Sequence, residues 1–270
     1  MAQAAQGVNE RASGVRAPEG RASDARRLSG KVAIVTGGSR GIGAGIARRL
    51  AEEGAAVAVT YVAAADRAEA VVKSVIADGG QAMAVRADVA DRAALRSAIA
   101  EAVERFGRLD ILVNNAGVGL MRPIEEMTDA DFDHVAAVNL RAVFAATQEA
   151  LRHIGDGGRV ITIGSVNADR VPFTGGSLYA LTKAGVAGFT RGLAREVGAR
   201  GITVNNVQPG PVDTDMNPAD GPWADLALPH LAVGRYGTAD EVAGLVAYLA
   251  GPEAGYITGA TINVDGGYTV

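Results

Sequence analysis

Tyr179 and Lys183 stand four positions apart in the stretch Tyr179-Ala-Leu-Thr-Lys183. On a helix that spacing puts both side chains on one face. An ammonium group beside a phenol favours the phenolate, so the pair predicts a tyrosine able to exchange protons near neutral pH. Composition points to such a device. The 270 residues include no Cys and only three His (His134, His153 and His230), none spaced as a metal-binding pair. Thiolate metal sites and cysteine nucleophiles are excluded, and no metal site is expected. Acid and base must then come from Tyr, Lys, Ser, Asp or Glu. Ser165, 14 residues before Tyr179, closes an apolar run over 158–164. If that run is a parallel strand, Ser165 lies at its carboxyl end, where open α/β sheets bind ligands. Asn139 sits inside a helical pattern, although a mid-helix Asn competes for backbone hydrogen bonds.

Residues 36–43 read Thr-Gly-Gly-Ser-Arg-Gly-Ile-Gly, after an apolar run at 31–36 and before a helical pattern at 43–53. Strand, glycine turn and helix together are the context of a dinucleotide-binding turn. Gly37 permits the tight turn, Gly41 lets backbone N–H groups approach a pyrophosphate, and Gly43 lets helix and strand pack closely. The helix N-terminus adds partial positive charge. An NAD site needs an acid at the end of the second strand for the ribose 2′-hydroxyl. That place holds Tyr61, followed by Val62, with no carboxylate before Asp66. Arg40, within the turn, can grip a 2′-phosphate, and Ser39 can add a hydrogen bond. NADP(H) is the cofactor expected.

The elements that must position these residues follow from periodicity. Apolar runs predict strands at 31–36, 55–61, 81–87, 109–114, 158–164, 202–207 and 260–264. Between them, helices are predicted at 43–53, 66–78, 91–106, 131–153, 177–198 and 239–250. This alternation predicts an α/β fold, a doubly wound parallel sheet of about seven strands in one domain, residues 28–270. The stretch 209–230 carries five Pro and reads as a long loop, so a lid is expected over 211–232. Residues 1–27 hold five Arg against three acids without apolar periodicity, and a disordered basic tail is expected there. A net charge of -4 argues against a nucleic-acid polymer as partner. No apolar run approaches the roughly 18 residues of a membrane span, and a cytoplasmic protein is expected.

The glycine turn, Asn114-Asn115-Ala116-Gly117, Asn139, Ser165, Tyr179-x3-Lys183 and Pro209-Gly210 together resemble the short-chain dehydrogenase/reductase superfamily, whose sheet is of the Rossmann type. The wording is close to its 3-oxoacyl-carrier-protein reductase and carbonyl-reductase members. The resemblance implies Tyr179 as acid/base, Lys183 on the nicotinamide ribose, Ser165 on the substrate oxygen, and Asn139 holding a water of the proton relay. It sets Ile42, Tyr61, Asp88, Val89, Asn115, Ala116, Gly117, Pro209, Gly210, Val212 and Thr214 along the cofactor, Asp88 at the adenine. The chain departs from many NADP-preferring members in holding Val62 where they carry a second Arg. The implied activity is reduction of a small ketone or aldehyde to an alcohol, class EC 1.1.1. The implied assembly is a homotetramer, paired through the helices 131–153 and 177–198 and the segment 257–267. Stretches 164–170 and 207–222 resemble a branch of the superfamily that binds cyclic di-GMP and regulates biofilm dispersal. That alternative makes Arg170 a candidate phosphate contact.

Overall fold

Seven runs become strands, the central ones rich in Val, Ile and Leu. They are β1 (Val32–Val35), β2 (Ala56–Tyr61), β3 (Gln81–Arg86), β4 (Leu109–Asn114), β5 (Ile154–Ile163), β6 (Thr203–Pro209) and β7 (Thr261–Val264). The computed structural model describes residues 26–270. The strands form one sheet in the order β3-β2-β1-β4-β5-β6-β7, with every neighbouring pair parallel. Every residue of β1, β4 and β6 is buried, as in a strand covered on both faces. This is the Rossmann-type, doubly wound single domain that the alternating pattern predicts.

The helices are α1 (Gly41–Glu52), α2 (Ala65–Ala77), α3 (Arg92–Phe106), α4 (Asp129–Ala136), α5 (Ala142–Ala150), α6 (Ser177–Val197), α7 (Ala224–Ala227) and α8 (Ala239–Ala250). On one face of the sheet, Ile46 and Leu50 of α1, Val75 of α2 and Val246 and Leu249 of α8 pack on Val57 and Val113. On the other, Leu95 and Ile99 of α3, Ala146 of α5 and Leu193 of α6 pack on Ile34 and Leu112. The chain winds outward from β1 to β3, returns to β4, and winds the other way to β7. The crevice between the carboxyl ends of β1 and β4 is therefore the switch point where such sheets bind ligands.

Three expectations change. The helix predicted over 131–153 is broken: α4 and α5 are joined by a π-helical turn, Ala137–Arg141, that carries Asn139. Its cause lies in the hydrogen bonds of Asn139, described below. Strand β5 starts at Ile154, not at 158, because Ile154 pairs with Leu109 before the register shifts at Leu109/Ile111. The intervening Gly155-Asp156-Gly157 reads as a loop in sequence, and Gly157, at φ +77°, absorbs the irregularity. The lid segment is also more ordered than a long loop, since it contains α7 and a helical turn at Leu228–His230.

Of the expected tail, residues 1–25 lie outside the described residues. Arg26 and Arg27 are described, and Arg27 Nε donates to Glu53 Oε2 (2.8 Å) at the end of α1. No described helix is long and apolar enough to cross a membrane. No group of His, Asp and Glu among the described residues is placed to hold a metal ion.

Candidate active site

The glycine turn is fixed from three strands. Gly37, at φ +65°, lies so close to β4 that a Cβ on it would stand 3.0 Å from Ala116 Cα. Its N–H donates to Thr60 Oγ1 of β2 (3.1 Å). Thr36 Oγ1 accepts from the N–H groups of Asn115 (3.0 Å) and Ala116 (3.1 Å). Asn115 Nδ2 donates in return to the carbonyls of Thr36 (2.9 Å) and Gly37 (3.0 Å). Gly43 sits under this knot, since a Cβ there would meet Asn115 Nδ2 at 2.4 Å and Gly37 O at 2.5 Å.

Helix α1 then starts without a side-chain cap and without an acid in its first turn. Its first N–H groups have no partner within the helix and suit an anion. Gly41, at φ +53°, faces Thr214, whose Cγ2 would lie 3.3 Å from a Cβ at that position. Ile42 packs against the core below, Ser39 is half-buried and Arg40 is exposed. An uncapped helix start and a cradle that a side chain would fill both fit the pyrophosphate of a dinucleotide. Further along the sheet edge, Tyr61 ends β2 and Val89 is buried. Asp88 is exposed, and its Oδ1 accepts from Ala90 N–H (2.9 Å). It is Asp91 that caps α3, accepting from the N–H groups of Ala93 (2.8 Å) and Ala94 (3.2 Å).

The proton-handling residues converge beside the same crevice. Lys183 is buried, 6% exposed, with Nζ donating to Ile163 O at the end of β5 (2.9 Å). Nζ also lies 5.5 Å from the centre of the Tyr179 ring. Gly117 has no side chain to intrude: a Cβ there would be 3.5 Å from both Lys183 Nζ and Asn139 Oδ1. The buried Asn139 amide clasps the chain beyond β4. Its Oδ1 accepts from Val118 N–H (2.9 Å), and its Nδ2 donates to Val118 O (2.9 Å) and to Thr182 Oγ1 (3.1 Å). Thr182 Oγ1 donates onward to Tyr179 O (2.8 Å). Reaching Val118 from α4 and α5 gives a physical reason for the π turn, a local widening common at functional sites. Ser165 follows β5 by two residues, and its Oγ accepts from Asn167 N–H (3.1 Å), capping the short turn Val166–Ala168. Asn139, Thr182, Tyr179, Lys183 and Gly117 thus form one connected group, joined to Ser165 through β5.

The lid is held by a small core of its own. Ala224, Ala227 and Leu231 pack with Val166, Tyr236 and Tyr268. Met216, Trp223, Leu226 and Leu228 remain exposed, and the Trp223 ring lies 6.0 Å from Phe173. Pro209 ends β6, Gly210 N–H donates to Val264 O (2.9 Å), and Val212 bridges to Gly237. Gln208 Nε2 donates to Asp169 Oδ2 (2.6 Å) and Asn263 Oδ1 (3.0 Å), tying the Ser165 loop to β7. Arg170 is already engaged: it donates to Tyr268 O, and its guanidinium lies 5.5 Å from the Tyr268 ring centre.

Sequence reasoning missed Thr60 and Thr182, the buried hydroxyls that tie Gly37 and Asn139 in place. Thr182 had a signal, its position inside Tyr179-x3-Lys183; Thr60 had none beyond closing an apolar strand.

A family model described as enoyl-(acyl carrier protein) reductase matches residues 37–269. The short-chain dehydrogenase/reductase of Serratia marcescens is 59% identical with a TM-score of 0.89, over 90% of this chain and 100% of that one. A short-chain dehydrogenase of Burkholderia cenocepacia, solved in complex with NADP, is 53% identical with a TM-score of 0.89, again over 90% and 100% of the two chains. The cyclic-di-GMP-binding biofilm dispersal mediator protein of Escherichia coli is 46% identical over 241 residues, 89% of this chain and 98% of that protein. The chain is a member of the short-chain dehydrogenase/reductase family of oxidoreductases.

Proposed function

We propose that this protein reduces a ketone or aldehyde to the alcohol with NADPH, Tyr179 supplying the proton. The observation that carries the reading is the connected group Asn139–Thr182–Tyr179 with Lys183, set beside an uncapped glycine turn at one crevice. Bound NADPH would supply the hydride. The first N–H groups of α1 would hold its pyrophosphate, with Arg40 and Ser39 on the adenosine side, where β2 offers no competing carboxylate. The similarity to a Burkholderia enzyme solved with NADP supports that choice of cofactor.

On the protein side, Ser165 orients the carbonyl oxygen and the Tyr179 hydroxyl protonates it as the alcohol forms. Lys183 holds positive charge beside the phenol, fixed in place by Ile163 O. Asn139 keeps the loop after β4 against α6. We further place the chain in a homotetramer, on the exposure of Phe132, Phe144 and Leu181 on α4, α5 and α6, apolar surface of the kind that marks an interface. The alternative that it binds cyclic di-GMP rests on its likeness to the Escherichia coli relative. Arg170, the contact that reading needs, is spent on Tyr268.

The test is Tyr179→Phe assayed with NADPH and a panel of ketones and aldehydes. Turnover should fall by a factor of about 10² or more, the range of a lost general acid. Binding of NADPH, followed by its fluorescence, should persist. Retained turnover in the variant would remove Tyr179 from the chemistry.

A further inference from the structure

Arg40 and Arg67 come from different elements and meet on one carboxylate. Arg40 immediately precedes α1, and Arg67 lies in the first turn of α2. Arg67 Nη1 donates to Asp215 Oδ2, and Arg40 Nη1 stands 3.8 Å from the same oxygen. The Arg67 guanidinium holds the Asp215 carboxyl below its ordinary value, with a smaller contribution from Arg40. Asp215 follows Thr214, the residue that faces Gly41, so this carboxylate lies at the mouth of the glycine turn. The loop that leads from β2 to Arg67 is itself anchored, because Arg86 Nε donates to Val62 O (3.2 Å).

A carboxylate oxygen near two guanidinium groups marks a position where an oxyanion is within reach of both. All three side chains are half or more exposed, so the existing ion pairs are weak and exchange readily. A phosphate monoester offers more charge and three acceptor oxygens to the same pair. The β2 end supplies no cation of its own at Val62, and Arg67 stands only five positions further on.

We propose that Arg67 is a specificity residue of the cofactor site: with Arg40 it takes the 2′-phosphate of NADP(H), and Asp215 competes with that phosphate for the two guanidinium groups. The proposal rests on NADP(H) being the cofactor. It differs from a role in which Arg67 merely latches the lid through Asp215, because the two roles predict opposite effects for one pair of variants.

The experiment is calorimetric titration of the full chain with 2′,5′-ADP and with AMP, which differ only in the 2′-phosphate. The wild type should prefer 2′,5′-ADP. Arg67→Ala should reduce that preference about tenfold, the effect of one charge-assisted contact, while AMP affinity stays the same. Arg67→Lys should retain part of it. Asp215→Asn should increase the preference, because it removes the competitor. If Arg67 were only a latch, Arg67→Ala and Asp215→Asn would shift affinity in the same direction, and that result overturns the proposal. An unchanged preference in Arg67→Ala overturns it, as does an equal loss for both ligands. A wild type that does not distinguish the two ligands defeats the NADP(H) reading itself, and this assignment with it.

Discussion

Asn139→Ala removes the side chain that joins three segments. Asn139 is 2% exposed, and its amide makes hydrogen bonds at 2.9, 2.9 and 3.1 Å to Val118 N–H, Val118 O and Thr182 Oγ1. At about 1 kcal/mol net for each bond, the loss is about 3 kcal/mol. In a domain of this size 1 kcal/mol corresponds to about 2–4 °C in Tm, so the variant should melt about 6–12 °C lower. Val118 is only half-buried, so water can repair part of the deficit, which favours the lower end of that range. Thermal unfolding followed by circular dichroism measures the shift. Thr182→Val supplies the partner variant for a double-mutant cycle: it removes the Asn139 bond and the donation to Tyr179 O together. The coupling between Asn139 and Thr182 should be about 1 kcal/mol, one hydrogen bond. A shift in Asn139→Ala below about 2 °C would refute the claim that this amide closes the π turn onto β4, since such a shift is under 1 kcal/mol.

Two further predictions concern the sheet beneath the site. Gly43→Ala places a methyl 2.4 Å from Asn115 Nδ2 and 2.5 Å from Gly37 O, so the β1–β4 knot must shift. The variant should lose about 1–3 kcal/mol in chemical denaturation and bind NADPH more weakly, whereas Gly192→Ala, in open space on α6, should gain about 0.5–1 kcal/mol. Asp110, at the start of β4, accepts from Val32 N–H (3.0 Å), from Lys31 and from Arg108. Burial pushes its carboxyl up, but Arg108, the Val32 amide and Lys31 outweigh burial and hold it below the ordinary value. A carboxyl depressed in the folded state adds stability above its unfolded pKa of about 3.9 and loses it as pH falls through the folded value. Resistance to urea should therefore fall below about pH 4, and Asp110→Asn should make that acid limb shallower, the depressed Glu53 and Glu241 carboxyls keeping their share; an identical limb in the variant would remove Asp110 as a source.

The sequence exposes those parts of the molecule that repeat a local rule. Strands β1 and β4 are apolar runs because both their faces are covered, and the glycine turn is legible because Gly37 and Gly41 adopt positive φ. Tyr179 and Lys183 are legible because a helix puts them on one face. What stays hidden depends on partners distant in the chain. The π turn follows from Asn139 reaching Val118, 21 residues earlier, and no periodicity encodes that reach. The early start of β5 depends on Ile154 finding Leu109 across a stretch of glycines. In the lid, the large Met216 and Leu226 are exposed, and the small Ala224 and Ala227 pack inward with Leu231. Arg67 and Asp215 are separated by 148 positions, and neither is conspicuous alone.

The two ends of the crevice differ in how firmly they are held, and the difference follows from burial. At the proton-handling end Asn139, Thr182 and Lys183 are all buried, and each is satisfied by a specific backbone or side-chain partner. A buried polar group left unpaired costs about 1–3 kcal/mol, so each alternative arrangement there is penalised and the geometry is set before any ligand arrives. Proton transfer needs that precision, because small displacements of a general acid cost rate steeply. At the other end Arg40, Arg67 and Asp215 are exposed, and their pairing in solvent is weak. A phosphate can reorganise them at little cost. The fold thus puts its rigidity where a bond must be made and its adjustable charges where an anion has only to be recognised.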